Sequence, residues 1–170
     1  MVLDKNDICL SMAVHAHQPV DNFDDVFSRS FQMSYWPFFR TVHEFPGIKL
    51  SFHISGSLLD WALKNQPDFI EFVKKLVDRG QLEILTAGYY EPILALISDR
   101  DKKGQILMHI DKMHKLFGFK PQGLWLTERV WEPGLIKAIK ETGLKFILVD
   151  DEHFKRAGTV SYTHLRAHET

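Results

Sequence analysis

One cysteine, Cys9, in a chain of 170 residues leaves no partner for an internal disulfide, so the fold has no covalent staple. Within its apolar stretch Cys9 reads as a small core residue. No apolar run is long enough to span a bilayer. The polar start Met1-Val2-Leu3-Asp4-Lys5-Asn6-Asp7 lacks the basic and apolar segments of a secretory signal. The expectation is a cytoplasmic protein with no membrane partner. Neither sign of charge dominates: 21 Lys and Arg stand against 22 Asp and Glu, for a net charge of -1. With no basic stripe, a nucleic-acid partner is not expected. No Gly-x-Gly-x-x-Gly follows the first apolar run and no His-Glu-x-x-His motif occurs, which removes the main signals of a dinucleotide fold and of a zinc-protease helix.

What is present is apolar bulk, with 45% hydrophobic residues and 13 phenylalanines, enough for one domain with a sizeable core. Strand and helix signals alternate along the chain. Ile8–Val14, Ile48–Ile54, Gln81–Ala87, the run beginning at Gly123 and Leu144–Val149 read as buried strands. Between them, Tyr35–Phe45 carries Trp36, Phe39, Val42 and Phe45 at helical spacing, and Pro67 opens an amphipathic helix closed by Arg79 and Gly80. Gln105–Phe117 repeats the pattern, with Ile106, Ile110, Met113 and Phe117 on one side. Asp21–Arg29 reads as an acidic loop and Asp99–Asp101 as a turn. Strands joined by helical crossovers make a parallel sheet covered by helices, either an open doubly wound sheet or a barrel. Residues 159–170 have no apolar periodicity and read as a non-native tail, and residues 1–158 as one domain. His164 and His168 in that tail are read as incidental rather than as a metal pair.

The stretch most charged with chemistry is Gly123-Leu124-Trp125-Leu126-Thr127-Glu128-Arg129-Val130-Trp131-Glu132-Pro133. A buried strand breaks into a loop that carries a carboxylate between two tryptophans, and Pro133 then opens a helix that stops at Gly143. In a parallel barrel that position is the rim where reactions occur. Carboxylates supply nucleophile and acid for attack on a sugar, and flat aromatic faces stack on pyranose rings. The plainer reading is a rim glutamate paired with Arg129. Each of the other strands also ends in polar residues: His15 and His17, His53 and Ser55, then Tyr89, Tyr90 and Glu91, then Asp150, Asp151 and His153. Strand ends on one side of a sheet converge on one pocket. Glu83, a charge in an otherwise apolar strand, either faces that pocket or sits at a solvent-facing edge. His15 and His17, two apart on a strand, would face opposite sides and need loop geometry to meet. A metal-dependent deacetylase-like barrel, a non-catalytic glucan-binding module and a metal-free glycoside-cleaving site remain the alternatives.

His15-Ala16-His17-Gln18-Pro19, Gly80-Gln81-Leu82-Glu83-Ile84 and Trp125-Leu126-Thr127-Glu128-Arg129-Val130 resemble, in order and spacing, the first three motifs of glycoside hydrolase family 57. Ala87-Gly88-Tyr89-Tyr90-Glu91-Pro92 and Val149-Asp150-Asp151-Glu152-His153-Phe154 fit as flanks, so the resemblance runs from Ile8 to Gly158. It implies a parallel (β/α)7-type barrel, here truncated after about five βα units, and a retaining enzyme of the 4-α-glucanotransferase or α-amylase type. The substrate would be an α-glucan or maltooligosaccharide, with no cofactor and no metal. Glu128 matches the family nucleophile. His17 and Glu83 match residues lining the subsite of the sugar under attack, and His15 and Trp125 match pocket-lining positions. Tyr90 and Trp131 are added as aromatic platforms. The family's general acid/base is an Asp in a fourth motif that is absent from these 170 residues. A polypeptide of this sequence alone is therefore expected to be inactive, and its open strand edges are expected to make it self-associate. Chain-length preference, transfer against hydrolysis, and whether the complete protein is a homo-oligomer are left open.

Overall fold

The computed structural model describes residues 10–156 and 158. Its elements run β1 (Ala13–Ala16), α1 (Asp24–Ser30), α2 (Trp36–Glu44), β2 (Leu50–Ile54), α3 (Gly56–Asn65), α4 (Pro67–Asp78), β3 (Leu82–Ile84), α5 (Asp99–Phe117), β4 (Gly123–Trp125), α6 (Leu135–Lys140), β5 (Phe146–Leu148) and α7 (Asp151–Arg156). Every strand pair is parallel: β1 with β2, β2 with β3, and β4 with β5. A bridge between Thr86 and Leu124 joins the two halves, with Thr86 N–H donating to Gly123 O at 2.9 Å and Trp125 N–H to Thr86 O at 2.7 Å. The strands therefore lie side by side in chain order. A doubly wound sheet reverses its order at a switch point, and no such reversal occurs among the described residues. Of the two architectures open from sequence, the order is that of a barrel arc.

Register sorts the side chains into two faces. Ala13, Ser51 and Glu83 form one layer of the inner face, and His15 and His53 the next layer along the same strands. The outer face carries Val14, Phe52 and Ile84 toward the helices. There Phe52 meets Phe39 edge-on at 4.6 Å, and Phe69 meets both Phe39 and Phe31 in the same manner. This aromatic group, with Leu58, Leu59 and Leu76, forms the larger core. A second core gathers Leu94, Ile106, Leu124, Leu126 and Leu135 beneath β4. Gly56 opens α3 against the ring of Tyr89, so closely that an added Cβ would collide with that ring.

Three expectations change. The first strand is Ala13–Ala16 rather than Ile8–Val14, because pairing to His53 and Ile54 carries it two residues further; Ile8 and Cys9 lie outside the described residues, as does the tail 159–170. The acidic loop is largely α1, with Asp24 and Asp25 in a first turn that favours negative charge and Phe27 buried. Asp99–Asp101 is the first turn of α5, not a separate turn. Ser98 caps it, its Oγ accepting from Asp101 N–H at 3.2 Å. Ser98→Ala is expected to cost about 1 kcal/mol, read as a lower midpoint in urea with an unchanged slope. Among the described residues no helix is long and apolar enough to cross a membrane.

Candidate active site

Strand pairing puts His15 beside His53, and their Nδ1 atoms lie 2.8 Å apart, close enough to share one proton. The indole of Trp125, at the end of β4, stacks on His15 at 4.7 Å and 5°. The Arg129 guanidinium caps that indole from 4.4 Å. His17 lies just past the end of β1, and its ring sits 5.9 Å from that of His15 at 14°. Strand alternation would have separated the two histidines; because the strand stops at Ala16, loop geometry brings them together. Beside His53 lies His109 of α5, fully buried, its ring nitrogens 3.0 Å from Thr86 Oγ1 and 2.9 Å from Ile54 O.

Glu128 and Arg129 follow β4 in a short turn, both in the left-handed region at φ 54° and 53°. Two successive non-glycine residues there cost of order 1–3 kcal/mol each, so the surroundings must hold the turn. Arg129 does so on one side, pairing through Nη1 with Asp150 at 3.0 Å while its carbonyl lies 2.8 Å from His153 Nε2. The plainer reading of Glu128 as the ion-pair partner of Arg129 is therefore not what the turn does. The Glu128 carboxylate is exposed and makes no hydrogen bond or ion pair among the described residues. On the other side Thr127 Oγ1 donates to Glu91 Oε2 at 2.8 Å, and Glu91 Oε1 lies 3.3 Å from His53 Nε2. Glu91 is itself left-handed, at φ 55°.

Burial disfavours charge throughout this cluster. It lowers His15 to about 4, helped by the neighbouring His17 and Arg129. It holds His53 well below its ordinary range, with His109, His15 and His17 adding to the effect. His17 is also lowered by burial, against an opposing pull from Glu128. Burial raises Glu91 to about 7, eased by the Thr127 hydroxyl and reinforced by Glu128. Donor atoms of His15, His53 and Glu91 all lie within 4.8 Å of one another, so these three could also offer ligands to a divalent cation.

Stability should follow these shifts. His109 is lowered from 6.5 to about 4, so between those values the unfolded chain holds a proton that the native one lacks, and stability rises with pH. His15 acts with the same sign over the same window. Glu91 opposes them, since its rise from 4.5 to about 7 makes stability fall with pH across that interval. The histidines outnumber it. The melting temperature is expected to fall as pH is lowered from about 6.5 to about 4, and His109→Gln to flatten that slope by about one proton.

The other residues singled out by sequence scatter more widely. Glu83 shares the inner face with His15 and His53 but lies one layer back along the strands, where Ser51 Oγ donates to it at 3.0 Å. Tyr90 is half exposed, its ring edge-on to Tyr89 and its N–H donating to Gln105 Oε1 at 3.0 Å. Trp131 packs against the second core and lines an apolar groove with Phe146 and Phe154. Sequence reading placed His53 and Glu91 among the converging strand ends but did not single out Thr127, His109 or the contact between Glu91 and His53. The single available signal was Glu91 itself, an acid held between Gly88 and Pro92 in a tight loop.

A family model described as Glycosyl hydrolase family 57 matches residues 10–170. The chain is 46% identical over 145 residues to an alpha-amylase of Pyrococcus furiosus, and 47% identical over 145 residues to a 4-alpha-glucanotransferase of Thermococcus litoralis. Each alignment covers 85% of this chain and 22% of the relative, so the chain spans about a fifth of their length. The crystal structure of the Thermococcus litoralis 4-alpha-glucanotransferase superposes with a TM-score of 0.85 at 45% identity, over 91% of this chain and 24% of that one. A peptidoglycan deacetylase, PdaC of Bacillus subtilis, superposes with a TM-score of 0.58 at 13% identity over 87% of this chain and 61% of that one, which is a likeness of fold alone.

Proposed function

The chain belongs to glycosyl hydrolase family 57, and on that premise we propose that it carries the nucleophile half of a retaining α-glucan-active site of the 4-α-glucanotransferase or α-amylase type. One observation supports this most strongly. Glu128 is an exposed carboxylate held at a strand end in a strained left-handed turn, while its neighbour Arg129 is drawn away to Asp150. A carboxylate that makes no hydrogen bond or ion pair among the described residues keeps its charge available for attack, and the anchored turn fixes its direction.

In this reading a Glu128 oxygen attacks the anomeric carbon of an α-1,4-linked glucose as the bond to the leaving sugar oxygen breaks. A second carboxyl group gives that oxygen its proton, and the glycosyl ester on Glu128 is released to an acceptor sugar or to water. His17 and Glu83 contact the sugar under attack. His15 and Trp125 present a flat, stacked wall to it, and Tyr90 and Trp131 act as outer aromatic surfaces. No cofactor or metal enters these steps.

The complete gene product carrying these residues is expected to lengthen and shorten maltoheptaose or to hydrolyse it, without loss of activity in a chelator. A polypeptide of residues 1–170 alone, without the Asp of the family's fourth motif, is expected to show no turnover. Inhibition by the chelator, together with indifference to Glu128→Gln, would reject this reading in favour of metal-dependent chemistry.

A further inference from the structure

We infer that Thr127 is a positioning residue of this site: its hydroxyl, donating to the buried carboxyl of Glu91, sets the direction in which the next residue along the chain, Glu128, presents its carboxylate to the sugar. The inference deepens the glucan-active reading above and rests on it for the role of Glu128.

Four observations carry it. Thr127 Oγ1 donates to Glu91 Oε2 at 2.8 Å, and with Thr127 3% exposed and the Glu91 side chain 5% exposed, water does not replace the contact. The same bond orients the carboxyl: Glu91 Oε1 faces His53 Nε2 at 3.3 Å, yet neither atom has a hydrogen-bond partner among the described residues. The loop that carries Glu91 is itself pinned. Tyr89 N–H donates to the Gln105 carbonyl at 3.2 Å and Tyr90 N–H to the Gln105 side chain at 3.0 Å, which ties the loop to α5, and Pro92 closes on Gly88 so tightly that a Cβ there would collide with its ring. Glu91, Glu128 and Arg129 are all left-handed, so backbone strain sits on both loops that this one bond joins. Strain retained at both ends of a buried contact indicates a geometry held for a purpose.

A threonine in a turn commonly bonds nearby backbone with its hydroxyl. Thr127 instead reaches a loop 36 residues away, and the carboxyl it meets there is a group that is costly to bury without a partner. The bond fixes one flank of Glu128. The pairing of Arg129 with Asp150, and the contact of the Arg129 carbonyl with His153, fix the other. Glu128 thus stands between two tethered neighbours, and its direction comes from them, because its own carboxylate makes no hydrogen bond or ion pair among the described residues. Attack on the anomeric carbon needs the reacting atoms aligned, and a misplacement of about 1 Å can cost about 10^2-fold in rate. The Thr127 hydroxyl touches no reacting atom in this account and acts through the backbone of its neighbour.

The test uses the complete gene product. Thr127→Val keeps the shape of the side chain and removes the donor, and Thr127→Ser keeps the donor. Thr127→Val combined with Glu91→Met replaces both polar partners by apolar ones, which returns much of the stability lost when one partner is left unpaired. Thr127→Val is expected to lower kcat on maltoheptaose by about 10^2-fold with KM changed little, and Thr127→Ser to stay close to the wild-type kcat. The double variant is expected to melt near the wild-type temperature while its kcat stays low, which a merely structural bond would not produce. Crystal structures of the three variants give a readout that does not depend on turnover. The Glu128 carboxylate is expected to be displaced by about 1 Å or more in Thr127→Val and in the double variant, and to keep its place in Thr127→Ser. That displacement, with no action on maltoheptaose by the wild type, would uphold the positioning and reject the glucan reading. A Glu128 carboxylate that stays in place without the hydroxyl, a kcat unchanged in Thr127→Val, or a kcat that returns with stability in the double variant would overturn the positioning.

Discussion

Glu128→Gln in the complete gene product is expected to lower kcat on maltoheptaose by roughly 10^4-fold or more, with KM changed little. The substitution keeps the volume and the hydrogen-bonding span of the side chain but removes the charge that, in the proposed reaction, attacks the anomeric carbon. Glu128 makes no hydrogen bond or ion pair among the described residues, so its replacement breaks none there. The melting temperature should accordingly stay the same or rise slightly. A fall in kcat at constant stability separates loss of a nucleophile from loss of the turn. Glu128→Gly would relieve the left-handed backbone at φ 54°, stabilising the fold while also abolishing turnover. Steady-state kinetics and thermal melts on both variants check this pair of outcomes.

Phe52→Ala is expected to destabilise the fold by roughly 3–5 kcal/mol, a large share of the stability of an ordinary domain. Phe52 is 1% exposed and sits on the outer face of β2, edge-on to Phe39. Through Phe39 and Phe69 it links β2 to α2 and α4, and Phe31 extends the cluster. Its removal opens a cavity that rigid ring neighbours cannot fill by rotation. The effect should reach the site as well, because His53 is the next residue along the strand and points to the inner face. Denaturant unfolding measures the loss. A small residual population of folded Phe52→Leu, with the His15–His53 contact retained, is the control for volume.

The parts of this molecule that local pattern determines were legible in the sequence. Pro67 and Gly80 bound α4 as their chemistry requires, and apolar runs at five places became five parallel strands. Motif spacing led to glycosyl hydrolase family 57. The first helix was hidden because Asp21–Arg29 is polar at most positions, and only Phe27 turns inward. Its acidic first turn is a favourable end for a helix, but reads as loop when charge alone is weighed.

The site was half legible for a different reason. His15, His17, Trp125 and Glu128 stand at strand ends, and strand ends converge in a parallel sheet whatever the details. Glu91 and Thr127 are 36 residues apart and His15 and His53 are 38 apart, and no period or propensity links such pairs. Arg129 misleads in the opposite way. Its adjacency to Glu128 implies an ion pair, yet in a left-handed turn successive side chains diverge, and Arg129 reaches Asp150 instead.

The claim that Glu128 is the nucleophile is tested most directly by trapping the glycosyl ester. The complete gene product is incubated with a 5-fluoro-α-glucosyl fluoride, digested, and the peptides weighed. One glucosyl label on the peptide containing Glu128, absent from Glu128→Gln, is the predicted result. A label on another carboxylate, or turnover of maltoheptaose by Glu128→Gln at the wild-type rate, would contradict it.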